Sequence, residues 1–229
     1  MRVLDLIWED AHGLAVNKPA GLLTHPARSS SDEITLEALV RHHLRPDDPG
    51  SVYLGTVHRL DRPVSGVVLW AKTPKAAHRW AEQFAHRRTH KEYWAILESG
   101  PIAAPDRWDD WLTSPDRSGQ ARVVAAEAAG SVPALTRVTA GEPAQLIATG
   151  SFAWFKLFPE TGRTHQLRAQ AASRGMPVVG DLTYGATTMF ESGIALHART
   201  LTVEHPARHE LLTISADLPP AWSSWLRTG

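Results

Sequence analysis

Apolar and polar residues alternate over 3–8, and Leu14-Ala15-Val16 then leads into Asn17-Lys18-Pro19-Ala20-Gly21. That pattern predicts a short strand pair ending in a turn. The spacing over 35–44 is helical, with Thr35 placed to cap and Leu36, Leu39, Val40 and His43 on one face. Residues 67–71 form a compact β-type run, and Thr73-Pro74 supplies a cap and a first-turn proline for a second helix. Its apolar stripe reads Ala77, Trp80, Ala81 and Phe84. Residues 91–97 return as a strand, 99–131 as a Pro-, Gly- and Asp-rich excursion holding at most a hairpin, and 133–158 as further strands, with one run at 145–148. A short helix is predicted from near Thr164 to Gly175, with Pro177 just beyond, followed by strands at 195–203 and 211–215. Many short strands with a few inserted helices predict an α+β fold of mainly antiparallel sheet, in a single domain over 1–229.

Composition narrows the classes of chemistry. The chain has 229 residues, 43% of them hydrophobic, enough for a core, and no apolar run approaches the roughly 20 residues needed to cross a bilayer. The N-terminal stretch lacks the apolar run of a secretory signal, so a cytoplasmic protein is expected. With no cysteine there is no disulfide, thiolate nucleophile or cysteine-ligated metal. Twelve histidines remain, but no HExxH-like spacing accompanies them, and the adjacent His42 and His43 point to different sides of their helix. No metal site is expected.

Lys plus Arg balance Asp plus Glu at 24 each, which argues against a protein that coats nucleic acid indiscriminately. The distribution is uneven. Residues 56–95 hold eight Lys or Arg against three acids, and residues 96–150 hold seven acids against four Arg. A concentrated basic region in a neutral chain fits local phosphate binding.

Three stretches could carry chemistry. His58-Arg59-Leu60-Asp61-Arg62-Pro63-Val64-Ser65-Gly66 sets one carboxylate between two guanidinium groups, which favour its ionised form, on a segment stiffened by Pro63, with Gly66 permitting a turn. Taken alone, it favours a structural Arg–Asp pair over a catalytic carboxylate. Glu160-Thr161-Gly162-Arg163-Thr164-His165-Gln166-Leu167-Arg168 places a guanidinium and backbone N–H groups at a helix start, suited to an anion or to a plain solvated cap. In Lys91-Glu92-Tyr93, strand alternation puts a cation and a phenol on one face, as it also would in a half-buried core tyrosine.

In order along the chain, NKPAGLLTHP from Asn17, HRLDRPVSG from His58, KEYWA from Lys91, ETGRTHQLR from Glu160, GDLTYG from Gly180 and LHA from Leu196 resemble the motifs of the RluA-type RNA pseudouridine synthases. The resemblance spans roughly residues 3–217. It implies a mixed, mainly antiparallel sheet with flanking helices and a central active-site cleft for a flipped uridine. It also implies Asp61 as the essential aspartate, Tyr93 stacking on or deprotonating the base, and Arg163 paired with Asp61. Arg59, Arg62, Lys91, His165, Gln166 and Lys18 fall to substrate and RNA binding. The family needs no cofactor or metal. Its partner is RNA, either tRNA or large-subunit rRNA, with no DNA or membrane partner expected and monomer as the default.

Extruding a base costs a few kcal/mol, which phosphate contacts and an aromatic surface must offset. The chain carries Val64 where the family usually has Thr, removing one hydroxyl beside Asp61, and because Val3 already opens the catalytic pattern no N-terminal RNA-binding appendage is expected. Two other readings compete: a non-catalytic RNA-binding or chaperone protein that keeps the fold, and a hydrolase pairing Asp61 with Glu160.

Overall fold

The computed structural model describes residues 4–26, 33–98, 106–141, 145–146 and 151–227. The chain runs through β1 (Leu6–Glu9), β2 (Gly13–Lys18), α1 (Leu36–Leu44), β3 (Gly55–Thr56), β4 (Ser65–Ala71) and α2 (Pro74–Ala85). It continues with β5 (His90–Glu98), β6 (Arg107–Leu112), β7 (Val123–Val124), β8 (Val132–Ala140), β9 (Gln145–Leu146), β10 (Phe152–Pro159) and α3 (Gln166–Ser173). Strands β11 (Leu196–Glu204), β12 (Leu211–Ser215) and β13 (Leu226–Arg227) follow. This is an α+β fold of mostly antiparallel sheet. Residue contacts group it into two compact units, 1–90 with 198–218 and 91–197 with 219–229, a finer division than the single domain expected from sequence. Among the described residues no helix is long and apolar enough to cross a membrane.

In the first unit the strand order is β1-β2-β4-β11, with β12 on β11 and β3 on β4. All seven residues of β4 are buried, as its unbroken apolar run requires. It pairs antiparallel with β2 from Gly13 opposite Ala71 to Lys18 opposite Gly66. Both helix starts are capped as predicted: the Thr35 hydroxyl accepts from Ala38 N at 3.2 Å and that of Thr73 from Ala76 N at 3.2 Å.

Three residues of the predicted α2 stripe meet the core, Trp80 buried and Ala77 and Phe84 packed against it, but Ala81 is exposed and Ala76 and Gln83 are buried beside them. The physical reason is polar: Gln83 Nε2 donates to Glu204 O at 3.0 Å and its Oε1 accepts from Glu204 N at 2.8 Å, while Trp80 Nε1 donates to the same carbonyl at 3.0 Å. Two side chains thus pair with strand backbone at the end of β11. Apolar periodicity carries no trace of such bonds.

Gly66 lies inside β4 and not in a turn, which corrects the sequence expectation. Its φ is +117°, and a Cβ there would sit 2.3 Å from the carbonyl oxygen of Ala198. Only glycine satisfies both the backbone angle and the close approach. This contact joins two of the quoted motifs, HRLDRPVSG and LHA.

In the second unit the order is β5-β10-β8-β6-β7, antiparallel at every step. Among the described residues the expected excursion over 99–131 holds one hairpin, as predicted, and β8 joins it to the sheet. Residues 99–105 lie outside the described set, but β6 pairs with β8 along its whole length and closes a hairpin with β7. The predicted strand at 145–148 is described only at β9, which pairs with β13. Helix α3 starts later than predicted because His165 takes a left-handed conformation, φ +56°. Leu112, Ala134 and Ala169 form a core cluster here.

Gly66→Ala should lower the unfolding free energy by at least about 3 kcal/mol, the class of loss expected when backbone must move for a Cβ at an αL-like position. Urea denaturation measures it. A loss under about 1 kcal/mol would show that the β4 and β11 backbones separate freely.

Candidate active site

The first unit builds the segment that carries Asp61. Val64 N donates to Asp61 O at 3.1 Å, closing a turn over Arg62-Pro63. The carbonyls on either side of Asp61 are both held: Leu60 O accepts from the Thr24 hydroxyl at 2.8 Å, and Arg62 O accepts from Gly21 N at 2.8 Å and from Lys18 Nζ at 3.1 Å. At the start of the segment, His58 Nε2 accepts from Leu69 N at 2.9 Å, so the ring is tied to β4. Asp61 itself is half-buried.

Lys18 is fully buried, which corrects its assignment as an RNA-contacting residue. Its ammonium donates to three carbonyls, Pro19 O at 3.0 Å, Leu22 O at 2.8 Å and Arg62 O at 3.1 Å. Three donors meet three acceptors, so no proton is left for solvent or substrate. Burial pushes the ammonium down from its ordinary 10.5 to about 7; the nearby Asp61 carboxylate pulls it up and Arg62 pushes it down. Lys18 is therefore a strut between the NKPAGLL turn and the Asp61 segment.

The arginines flanking Asp61 differ. Arg59 is exposed. Arg62 is also exposed, but its Nε donates to Gly21 O at 3.1 Å and it pairs with Glu33 at 3.4 Å. Val64 is 3% exposed, so its methyl needs no hydrogen-bond partner where a threonine hydroxyl would.

The second unit holds the other predicted residues. Tyr93 and Lys91 are half-buried on β5, and Lys91 Nζ donates to Thr161 O at 3.2 Å. Arg163 is exposed, with Nε donating to Pro133 O at 3.2 Å. Gln166 is buried at 4% exposure, correcting its assignment to RNA contact. Its Oε1 accepts from the Thr161 hydroxyl at 2.7 Å and from Arg163 N at 3.1 Å. Its Nε2 donates to Leu135 O and to the Thr136 hydroxyl, both at 3.0 Å. The amide is saturated, and it fixes the backbone of Arg163 from inside. His165 is half-buried, its Nδ1 3.1 Å from the Tyr184 hydroxyl.

One pairing between motif residues had no sequence signal. Arg168, 5% exposed, makes a bidentate bond to the buried Asp181 at 2.6 and 2.8 Å and lies 4.9 Å over the Tyr184 ring. It locks the ETGRTHQLR helix to the GDLTYG turn, whose residues had no assigned role. Neither stretch names its partner, because the two meet only in the fold.

In the first unit a buried lysine braces the Asp61 segment, and in the second a buried glutamine braces the Arg163 turn. A family profile described as RNA pseudouridylate synthase matches residues 12–173. The chain is 33% identical to tRNA pseudouridine synthase C of Yersinia pestis over 96% of its own length and 88% of that protein's. It is 30% identical to an uncharacterized RNA pseudouridine synthase of Bacillus subtilis, covering 98% of this chain and 72% of that one, and 31% identical to a Synechocystis counterpart of which it spans 66%. Two solved structures share the fold at a TM-score of 0.75: human RNA pseudouridylate synthase domain containing 1, 26% identical with 97% and 88% of the two chains covered, and domain containing 4, 24% identical with 98% and 94% covered. The chain belongs to the RNA pseudouridylate synthase family, isomerases that act on uridine in RNA.

The buried amine gives a pH prediction. Because the folded value of Lys18, about 7, lies below the unfolded 10.5, the unfolded chain holds the extra proton between those limits. This group therefore makes folding more favourable as pH rises through that window. The difference in unfolding free energy between wild type and Lys18→Met should shift toward wild type from pH 7 to pH 9 and stay flat from pH 5 to 6. A difference constant across the whole range would mean that the buried amine keeps its full charge.

Proposed function

We propose that the chain converts uridine to pseudouridine in a structured RNA, with Asp61 as the catalytic carboxylate, and that tRNA is its substrate class. The observation that carries this reading is the bracing of the Asp61 segment: both carbonyls flanking the aspartate are held, one by a buried lysine. A surface salt bridge would need no such frame, whereas a group that must meet a reacting carbon in one geometry does. The tRNA assignment is supported by the name borne by the Yersinia pestis relative. A cytoplasmic location accords with an RNA substrate.

The reaction is an isomerisation. The N1–C1′ bond breaks, uracil turns within the site, and C5 bonds to C1′; the C5 proton leaves to solvent and N1 acquires one. Attack by the carboxylate at C1′ or C6 and removal of the 2′ proton each require it ionised and within reach of the nucleoside. In this reading Tyr93 stacks on the extruded base and Arg59 contacts the RNA. Saturated by the protein's own groups, Lys18 and Gln166 act as positioning residues.

Transcripts carrying tritium at uracil C5 test the proposal. Wild type should release tritium from tRNA, and Asp61→Asn should reduce release by at least about 10³-fold, the scale of removing a covalent or general-base group, with an unchanged melting temperature. Release from large-subunit rRNA fragments alone would overturn the tRNA assignment. Free uracil would indicate a glycosidase, and binding without either product a non-catalytic RNA-binding protein.

A further inference from the structure

The end of α2 breaks a local rule. Arg88 N donates to Gln83 O at 2.8 Å and Arg87 N to Phe84 O at 3.2 Å, the paired bonds of a Schellman cap around a left-handed residue. That residue is Arg87, with φ +56°. Glycine fits this position without steric cost and is the usual occupant, so an arginine there is a departure against backbone preference. Such departures point to function where the side chain supplies something else.

What the side chain supplies is charge. His86, Arg87, Arg88 and His90 are all exposed, and no acid occurs from 83 to 91. Among the described residues neither Arg87 nor Arg88 has a carboxylate partner, and the flanking acids face other groups: Glu82 lies 3.7 Å from His78, and Glu92 accepts from Trp94 Nε1 at 2.7 Å. His86 is turned back onto the helix, its Nδ1 donating to Glu82 O at 2.8 Å. The helix end is also fixed to the Asp61 segment within the same unit: the Phe84 ring stacks on His58 with centroids 5.0 Å apart and planes 18° apart. The exposed Arg59 follows His58 directly, and Asp61 comes two residues later.

We propose that Arg87 and Arg88, continued by Arg59, form a docking surface for the phosphodiester backbone of the RNA next to the target uridine. The proposal deepens the function given above and rests on Asp61 marking the reacting end of that surface. A left-handed arginine directs the chain outward at the helix end, so successive guanidinium groups face solvent where a backbone can pass. A helix C-terminus also favours cations, which lowers the cost of gathering them before RNA arrives.

The cap itself provides a clean variant. Arg87→Gly combined with Arg88→Gln keeps the left-handed turn and removes two charges, so the melting temperature should hold or rise. Binding to a tRNA transcript is measured against salt concentration. Each lost phosphate contact should lower the slope of log K against log salt by about 0.7 to 0.9, so the double variant should lose about 1.4 to 1.8. Affinity at low salt should fall several-fold, and KM should rise with kcat held.

Lys75→Gln, at the opposite end of α2, should leave the slope as in wild type. An unchanged slope in the folded double variant overturns the proposal, as does an equal loss per charge in Lys75→Gln, which would mean general attraction. Tritium release by wild type is read separately: its absence alongside normal salt-dependent binding removes the catalytic reading while the slope still decides the surface.

Discussion

A buried ammonium is among the costliest groups a protein can hold, at several kcal/mol before compensation. Lys18 accepts that cost in the first unit and offsets it with three carbonyl acceptors, each charge-assisted bond contributing about 1.5 to 3 kcal/mol. One of those acceptors is Arg62 O, next to Asp61, and another is Leu22 O in the turn that precedes Thr24. Moving the Asp61 segment would strip the ammonium of a partner inside the protein. The geometry of the aspartate is thus tied to the integrity of the unit's interior.

The second unit follows the same principle with neutral groups. Gln166 uses both oxygen lone pairs and both amide protons on Thr161, Arg163, Leu135 and Thr136, and Thr136 passes the chain to Gln170 at 2.7 Å. Gln170, fully buried, then reaches Ala134 O at 3.0 Å and Asp110 at 2.7 Å. A fully satisfied buried network is rigid because each member lost would leave another unpaired. Arg163 itself stays exposed on this support. In both units, the polar groups that contact only protein hold the backbone of the ones that face outward.

Much of the fold was legible in the chain. Thr35 and Thr73 cap their helices as their spacing implied, the apolar run at 67–71 is a fully buried strand, and β12 has the predicted limits, 211–215. These features depend on neighbours within a few residues. The α2 stripe held at Ala77, Trp80 and Phe84, but Gln83 was missed because this polar residue is buried to serve Glu204 in a distant strand. Gly66 was read as a turn residue because only the fold brings the Ala198 carbonyl against it.

The candidate residues show the same division. Residue types and motif order alone placed Asp61, Tyr93 and Arg163 in the family's pattern, since the chemistry of each group is carried by its side chain. Whether Lys18 and Gln166 face RNA or the interior was beyond their local sequence: a lysine beside a proline-glycine turn and a glutamine at a helix start suit either. Tertiary packing decided it by surrounding each with acceptors and donors that match its hydrogen-bonding capacity, which makes burial tolerable and solvent contact unnecessary. The sequence by itself determined which chemical groups this protein carries and the strands and helices they sit on. The folded structure decided which of those groups work outward and which hold the others in place, because that choice depends on partners scores of residues away.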